Sequence, residues 1–334
     1  MMDRDLPAPQ EFADAARAAI AACEGLGIRE TAQRLAGDGL AGAIADEAVG
    51  GLGLPFDYAV PLLAAAGSSL LTFPLLETLV ASRLLPDVAA DIAAGKTVVT
   101  IAWNGELAVT GQGEALRVSG IIGNASRADE CDFVIARLSD GGAALLPLKD
   151  TELHLLPGLD QERPLYQVTV ADRLVPAVNL VSAEEWATAE ADVWLGFAAI
   201  CLGAAQTCLD MAQEHANTRA QFGKALSANQ AMRHLLARQK LLLEGMRNVL
   251  DSCFLEQGTA DLARRKAAFA AAAENAIAII EKSIQVHGGM GFTWEVPLHR
   301  YLRWVRSIQA QGDVDAVLLS LADAVIGEQN SQAA

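Results

Sequence analysis

The stretch Thr218–Gln230, TRAQFGKALSANQ, places an arginine, a phenylalanine and a glycine close together in an alanine-rich region. Helical spacing predicts that Arg219 and Phe222, three residues apart, face the same ligand, and Gly223 allows the backbone to turn there. A guanidinium is planar, always charged and suited to bidentate binding of a diphosphate. Two interpretations stay open: a diphosphate-binding arginine, or a surface arginine whose stem packs on a core phenylalanine.

The composition favours a globular protein with a large core. Of the 334 residues, 52% are apolar and 20% are charged, which argues against disorder and is enough for two or three packed units. The net charge of −16 disfavours binding to nucleic acids. A cofactor that carries phosphate would need a local basic pocket, and TRAQFGK is the candidate for it.

Other sequence signals restrict the compartment. No apolar run reaches the roughly 18 residues of a membrane span, and the first residues, MMDRDLPAPQEF, lack the pattern of a secretory signal. Five scattered cysteines without a CxxC pair are typical of reduced thiols and give no metal site. We therefore predict a cytoplasmic protein without a structural metal.

The residue pattern divides the chain into three regions. Alanine and leucine recur at helical spacing up to about Ala94, and short β-branched runs follow to about residue 178. Helical patterns then return and indicate four long helices with short joins. The predicted fold is α+β and mostly α: an N-terminal helical domain (1–94), a small antiparallel β domain (95–178) and a C-terminal four-helix bundle (179–334).

A second motif, QVHGGMGFTWEVPLHRYLR, runs from Gln285 to Arg303. Three glycines within four positions end a predicted helix, where one would suffice as a cap. The cluster indicates either a helix stop before a proline-containing turn or a backbone surface that a ligand approaches closely. His287, taken alone, is interpreted as structural.

Taken together, the two motifs resemble the acyl-CoA dehydrogenase family. The patterns RxQFGxxLxxxQ and QxHGGxGFTxE lie 66 residues apart, counted from Arg219 to Gln285. DEAVGGLGLPF, from Asp46 to Phe56, is similar to the family's PEEYGGLGL turn, and the helix–β–helix order is the family's order.

The resemblance implies an FAD-dependent enzyme of lipid metabolism that desaturates an acyl-CoA thioester between its α and β carbons. It implies that Arg219 grips the FAD diphosphate and that Gln221 and Phe222 border the adenosine half. The same resemblance assigns four further residues to the cofactor: Gln230, Gln285, Gly288 and Gly289. In this family the flavin ring usually sits in the neighbouring subunit, so an oligomer, commonly a tetramer, is expected, with an electron-transfer flavoprotein as electron acceptor.

The chain departs from the family at the catalytic base. The usual glutamate position falls on Gly312, and the position that some members use on the first bundle helix falls on Val193. Neither side chain accepts a proton. Three carboxylates lie near these positions but are displaced along the backbone: Asp313, Asp315 and Asp192. Asp313 is the candidate base among them, and its alternative is a solvated or capping aspartate.

A second departure lies in the β region. The family's TEPxxGSD loop is missing, and GNAS, Gly123–Ser126, stands where the family has an aromatic strand beside the flavin ring. The sequence therefore predicts a shortened subunit of a heteromeric acyl-CoA dehydrogenase. Such a subunit completes the FAD site of a catalytic partner, for acyl groups such as steroid side chains or fatty acids. The alternatives are a self-sufficient homo-oligomeric enzyme with a displaced carboxylate and a scaffold without enzymatic activity.

Overall fold

A computed structural model describes residues 9–111, 115–254 and 262–332 of the chain. Contacts between residues divide it into two compact units, Met1–Val193 and Trp194–Ala334. Each unit contains its own buried apolar residues, so the two are described in turn.

Helices form the first part of the first unit, as the alanine and leucine spacing predicts. In α4, eight of ten residues are buried, which explains why its sequence is apolar on nearly all sides. Proline opens α5, where the missing amide hydrogen costs no helical bond. The helices are α1 (Pro9–Ala21), α2 (Ile28–Gly37), α3 (Ala59–Ser68), α4 (Leu75–Leu84) and α5 (Pro86–Ala93).

The glycine-rich turn from Asp46 to Phe56 separates α2 from α3. The Asp46 carboxylate accepts a hydrogen bond from the Ala48 amide at 2.8 Å and starts a short 3₁₀ turn. Gly50 ends that turn with φ of 86°. A Cβ on Gly51 would overlap the carbonyl of Ala45 and lie 2.7 Å from its Cβ. Glycine is therefore required here for close backbone packing.

The β region forms one eight-stranded sheet in the order β6-β7-β3-β1-β4-β5-β8, with β2 paired to β3. The predicted antiparallel arrangement is wrong at one place, because β1 pairs with β4 in parallel, with Val99 opposite Phe133. The long excursion through β2 and β3 lets β4 return in the same direction as β1. The strands are β1 (Val99–Asn104), β2 (Ala108–Thr110), β3 (Ala115–Ser126), β4 (Phe133–Arg137), β5 (Ala143–Pro147), β6 (Glu152–Leu155), β7 (Leu165–Pro176) and β8 (Leu180–Val181).

A buried arginine ties the sheet to the helices of the first unit. Arg163 pairs with Asp160 at 2.9 Å and donates to the carbonyls of Leu70 and Leu71. Both charged side chains are less than a tenth exposed. The pair is satisfied by hydrogen bonds, as buried charges require.

The second unit is built from helices that pack around α8, which contacts α7, α9 and α10. The predicted last helix, from His299 onward, is divided at Gly312 and Asp313 into two helices. Asp313 has φ of 46°, which a continuous helix does not allow. The helices are α6 (Ala183–Thr218), which starts in the first unit, α7 (Gln230–Ser252), α8 (Leu262–His287), α9 (Leu298–Gln311) and α10 (Val314–Gln332).

Two ring contacts fix how α6 and α8 lie together. Phe197 packs on Phe269 with ring centroids 5.7 Å apart, and His215 stacks on His287 at 4.4 Å. Each contact lies 18 residues from the other on both helices, or about 27 Å at the helical rise. The two helices therefore run in the same direction and in register, and they end together.

Among the described residues, one helix has the length and hydropathy of a membrane span. This is α6, whose most apolar window is 78% buried in the fold. Burial of that extent is typical of a core helix.

Glu77 on α4 provides a pH-dependent test of the first unit. It is 7% exposed, and burial raises the pKa of its carboxyl. The folded chain therefore keeps this proton to a higher pH than the unfolded chain does. We expect its contribution to stability to fall as the pH rises above the unfolded-state pKa of about 4.3.

Glu77→Gln is expected to raise the urea midpoint at neutral pH and to flatten the loss of stability between acidic and neutral pH. Urea unfolding at several pH values measures both effects. Glu24→Gln at an exposed position is the matched control and should leave the curve within about 0.5 kcal/mol of wild type. An unchanged or lower neutral-pH midpoint for Glu77→Gln would show that the carboxylate stabilises the fold.

Candidate functional site

The stretch that contains Arg219 is a β-hairpin, so the helical spacing predicted for Arg219 and Phe222 is wrong. After α6 ends at Thr218, β9 (Ala220–Gln221) pairs with β10 (Lys224–Ala225) across Phe222 and Gly223. These two residues have φ of 55° and 79°, the signature of a type I′ turn. A right-handed helix cannot contain two such residues in succession.

The hairpin is attached to the helical unit through its backbone. The Arg219 amide donates to the carbonyl of His215 and the Leu226 amide donates to the carbonyl of Arg219, both at 2.9 Å. On the far side, the Arg233 side chain donates to the carbonyl of Ser227 at 2.8 Å. The position of Arg219 is thus set by hydrogen bonds on both sides, while its side chain is exposed.

Phe222 lies at the tip of the hairpin and is 98% exposed. This excludes the interpretation in which the Arg219 stem packs on a core phenylalanine. An aromatic residue with positive φ costs roughly 1 kcal/mol or more, and the exposed ring recovers none of this by burial in the chain itself. Such a residue is a candidate for contact with a ligand or another chain.

The structure brings the two sequence motifs to the same end of the second unit. His215 near the end of α6 stacks on His287 at the end of α8. Beside this pair, Ala212, Ala216 and Val286 form a buried cluster. The side chains that pack against the cluster come from the hairpin exit and the start of α7: Leu226, Met232, Leu235 and Leu236.

The glycines at this end leave open backbone surface. Gly288 has φ of 62°, and among the described residues no atom lies within 4 Å of a Cβ built on Gly223, Gly288 or Gly289. Gly291 differs, since a Cβ there would lie 2.6 Å from the carbonyl of Ile284. The first three glycines are therefore free to receive a ligand, and Gly291 serves packing.

The predicted amide residues lie at the surface of this end. Gln221 is exposed in β9, and Gln230 is exposed at the first position of α7. Gln285 is exposed on α8, where its Oε1 accepts a hydrogen bond from Lys282 at 3.0 Å. All three are available for contacts outside the chain.

The hairpin lies in a basic stretch of an acidic chain. From His215 to Leu243 there is no Asp or Glu. Among the described residues no ion pair or side-chain hydrogen bond engages the guanidinium of Arg219. The net charge of −16 repels anions from the chain as a whole, and this stretch provides a local positive field that attracts them. Its cations are Arg219, Lys224, Arg233, Arg238 and Lys240.

Gly312, where the family resemblance predicts the usual catalytic glutamate, has no room for a side chain. Gly312 follows α9, and a Cβ there would overlap the ring of Phe269, 2.6 Å from its Cε1. Phe269 is fully buried and packs on Phe197. A side chain at residue 312 therefore has no room unless Phe269 moves.

The three displaced carboxylates are either exposed to solvent or paired with another side chain. The Asp313 carboxylate is exposed and accepts a hydrogen bond from the Ala316 amide at 3.3 Å, which caps α10. Asp315 is exposed on α10. In the first unit Asp192 is 5% exposed and pairs with Arg83 at 2.6 Å, and the adjacent Val193 is buried.

The β region has no aromatic strand at the position of GNAS. Gly123–Ser126 is the end of β3, and Asn124 has φ of 57°. Gly123 pairs with Asn104 and Ala125 with Ala102 on β1. Residues 112–114 of this region lie outside the described residues.

In the part of the chain that the structure describes, no group of three or more His, Cys, Asp or Glu side chains is arranged to hold a metal ion. All five cysteines are buried, and burial raises the pKa of each thiol for which a shift is resolved: Cys23, Cys131, Cys201, Cys208 and Cys253. They are therefore unreactive core residues.

Comparison with known proteins supports the resemblance to the acyl-CoA dehydrogenase family. Residues 195–324 match the family described as acyl-CoA dehydrogenase, C-terminal domain. The acyl-CoA dehydrogenase IpdE2 of Mycolicibacterium smegmatis is 27% identical over 272 residues, which covers 79% of this chain and 77% of that protein.

Two solved structures share the fold. The ChsE4–ChsE5 complex from Mycobacterium tuberculosis aligns with a TM-score of 0.87 at 22% identity, over 98% of this chain and 99% of that one. A glutaryl-CoA dehydrogenase from Mycobacterium smegmatis in complex with FADH2 aligns with a TM-score of 0.82 at 16% identity, over 98% of this chain and 95% of that one. Residues 195–324 therefore belong to the acyl-CoA dehydrogenase family, and the mostly helical α+β fold of the whole chain and the motifs above agree with these FAD-dependent enzymes.

Two residues that shape the candidate site, His215 and Phe269, could not be identified from the sequence alone. His215 is recognisable only by its position four residues before Arg219, which helical spacing places on the same side of α6. Phe269 gives no sequence signal for its contact with Gly312, because 43 residues separate them.

The turn at Phe222 gives a test that separates stability from binding. Asn is favoured over Phe before glycine in a type I′ turn, so Phe222→Asn is expected to leave the melting temperature unchanged or raise it. The same change is expected to lower the FAD retained by the chain with its partners. Phe222→Ala is the control, since it removes the ring without gaining the turn preference. A fall in melting temperature for Phe222→Asn would contradict this account of the hairpin.

The closed position at Gly312 gives a second test. Gly312→Ala is expected to destabilise the chain by about 1–3 kcal/mol, because the added methyl overlaps Phe269. Gly245→Ala on the exposed side of α7, where no described atom lies within 4 Å, should gain up to about 1 kcal/mol. Combining Gly312→Ala with Phe269→Leu should cost less than the sum of the two single changes. Additive costs in urea unfolding would rule out the clash.

Proposed function

We propose that this chain is the flavin-completing subunit of a heteromeric FAD-dependent acyl-CoA dehydrogenase. One observation carries the proposal: the hairpin presents an exposed Arg219 beside open glycines, while the glutamate position at Gly312 is filled by Phe269. The chain thus keeps the features that suit cofactor binding and lacks the usual base. A partner subunit supplies the carboxylate and the contacts to the flavin ring.

The residues of the hairpin end fit the diphosphate of FAD. A fixed guanidinium binds a diphosphate through paired hydrogen bonds, and Gly288 and Gly289 leave backbone surface open beside it. The exposed amides of Gln221, Gln230 and Gln285 and the Phe222 ring are suited to the adenosine half and its surroundings. When bound, FAD supplies the hydride acceptor for α,β-desaturation; the residues of this chain hold and orient it.

The β region of this chain does not fit the flavin ring in the same way. GNAS offers no aromatic side chain, and Asn124 turns the end of β3 with positive φ. The fit is therefore to one part of the cofactor only. A cofactor shared between two chains follows from this division.

The proposed substrate and partner are inferred from the family resemblance and from the relatives. The proposed substrate of the complex is an acyl-CoA thioester from steroid or fatty-acid breakdown, in the cytoplasm, with an electron-transfer flavoprotein as acceptor. The similarity to a chain of the ChsE4–ChsE5 complex supports a second acyl-CoA dehydrogenase subunit as the partner and a heterotetramer as the assembly.

The visible spectrum of the chain tests the proposal. The chain purified alone is expected to be colourless and to become yellow, with about one FAD per pair of subunits, only together with its partner. A yellow chain with one FAD per subunit that reduces a dye with acyl-CoA would establish the self-sufficient enzyme and overturn the heteromer. A chain without flavin under both conditions would establish the scaffold.

Arg219→Gln tests the diphosphate contact. Loss of charge-assisted hydrogen bonds worth about 1.5–3 kcal/mol is expected to weaken FAD binding by the assembled complex about 10- to 100-fold. FAD retained after dialysis measures this. Arg17→Gln on α1, where the arginine is exposed, is the control for the change in net charge. Wild-type retention by Arg219→Gln would refute the assignment.

A further inference from the structure

The stacked histidine pair lies beside Arg219 and has no role in the function proposed so far. The rings of His215 and His287 are 4.4 Å apart, with 28° between their planes. His287 is 8% exposed, and its Nδ1 lies 2.8 Å from the carbonyl of Ser283. Because a carbonyl only accepts, Nδ1 carries the hydrogen of this bond. His287 is thus held in one orientation, and His215 is the more exposed partner.

Arg219 follows His215 by one helical turn. Its amide donates to the carbonyl of His215 at 2.9 Å, so the helical hydrogen-bond pattern continues to Arg219. Residues four apart in such a pattern lie on the same side. The guanidinium of Arg219 and the imidazole of His215 are therefore neighbours on the surface where the hairpin leaves α6.

The charged groups that act on His215 come from two elements. Burial, His287 on α8 and Arg219 at the hairpin all lower the pKa of His215. The start of α7 meets this end of the unit with the apolar side chains of Met232, Leu235 and Leu236. In the free chain His215 is therefore mostly neutral at neutral pH.

We infer that His215 is a second diphosphate-binding residue, which takes up a proton from solvent when Arg219 binds the diphosphate. This rests on the proposed function. The bound dianion neutralises the effect of the guanidinium and adds an attractive charge of its own, both of which favour imidazolium. The stacked ring of His287 then presents an aromatic face to the imidazolium. His287 acts as the positioning residue for His215.

Proton uptake by His215 on binding determines the direction in which the affinity for the diphosphate changes with pH. A pKa raised on binding means that the diphosphate binds more tightly as the pH falls through the pKa of the bound state. The gain stops below the pKa of the free state. Each unit between the two values corresponds to a factor of about ten in affinity. A role limited to packing predicts no such dependence.

Titration of the purified full chain with ADP-ribose tests this. Both phosphates of ADP-ribose are esterified, so its charge stays constant between about pH 5 and pH 8, unlike that of ADP. Histidine ring C–H resonances report the pKa of each histidine with and without the ligand. We expect ADP-ribose to raise the pKa of His215 and to leave the ring C–H resonances of the exposed His154 unchanged. Arg219→Gln should abolish the change.

Two variants separate binding from packing. His215→Phe keeps an aromatic ring on His287 but carries no proton, so it should fold like wild type and bind ADP-ribose with an affinity independent of pH. Wild type should bind about three- to tenfold more tightly at pH 5.5 than at pH 7.5. His154→Gln, in β6 of the first unit, should behave as wild type.

The outcomes distinguish this inference from the proposed function. Binding that requires Arg219 without a change in the His215 pKa would overturn the inference and leave the diphosphate site standing. Binding that persists in Arg219→Gln, or no binding at millimolar ADP-ribose, would overturn both.

Discussion

The parallel register of α6 and α8 is the constraint on which the second unit depends. Two ring contacts 18 residues apart, Phe197 with Phe269 and His215 with His287, keep the helices side by side along about 27 Å. Because the helices end together, the hairpin leaves α6 at the level where the glycines follow α8. Neither motif has a ligand-binding geometry by itself, and their meeting is a product of helix packing. The acid-free stretch that starts at His215 then gives this end its positive charge.

The same register keeps two parts of the predicted site apart: the position of the usual catalytic base and the proposed diphosphate contacts. Gly312 meets Phe269 near one end of the paired helices, while the proposed diphosphate contacts lie at the other end, by His287. A change that fills the base position therefore leaves the hairpin end unaltered. This distance gives a physical reason why a chain of this family can lose the usual glutamate position and keep its basic hairpin. In the proposed heteromer, the partner subunit contributes the carboxylate that this chain lacks.

The sequence predicts the order of helices and sheet, because apolar periodicity and glycine positions are local signals. It also identifies both motifs, since their residue types are unusual together. It does not predict the hairpin, because Arg219 and Phe222 have spacing compatible with a helix and the I′ turn shows only in the φ of Phe222 and Gly223. Nor does it predict the parallel pairing of β1 with β4 or the contact of Phe269 with Gly312. These depend on residues far apart in the chain, for which one sequence carries no signal.

The remaining carboxylates extend the argument for a partner. Asp313 is exposed and bonded to the Ala316 amide at the start of α10, so abstraction of a proton from substrate would compete with capping in an aqueous setting. Asp192 is buried and paired with Arg83, and a nearby cation favours the charged carboxylate and weakens it as a base. Asp313 and Asp192 thus each have a contact that opposes proton abstraction. The hairpin arginine, in contrast, is free of such contacts among the described residues. The chemistry that this chain can offer is therefore concentrated at the proposed diphosphate site.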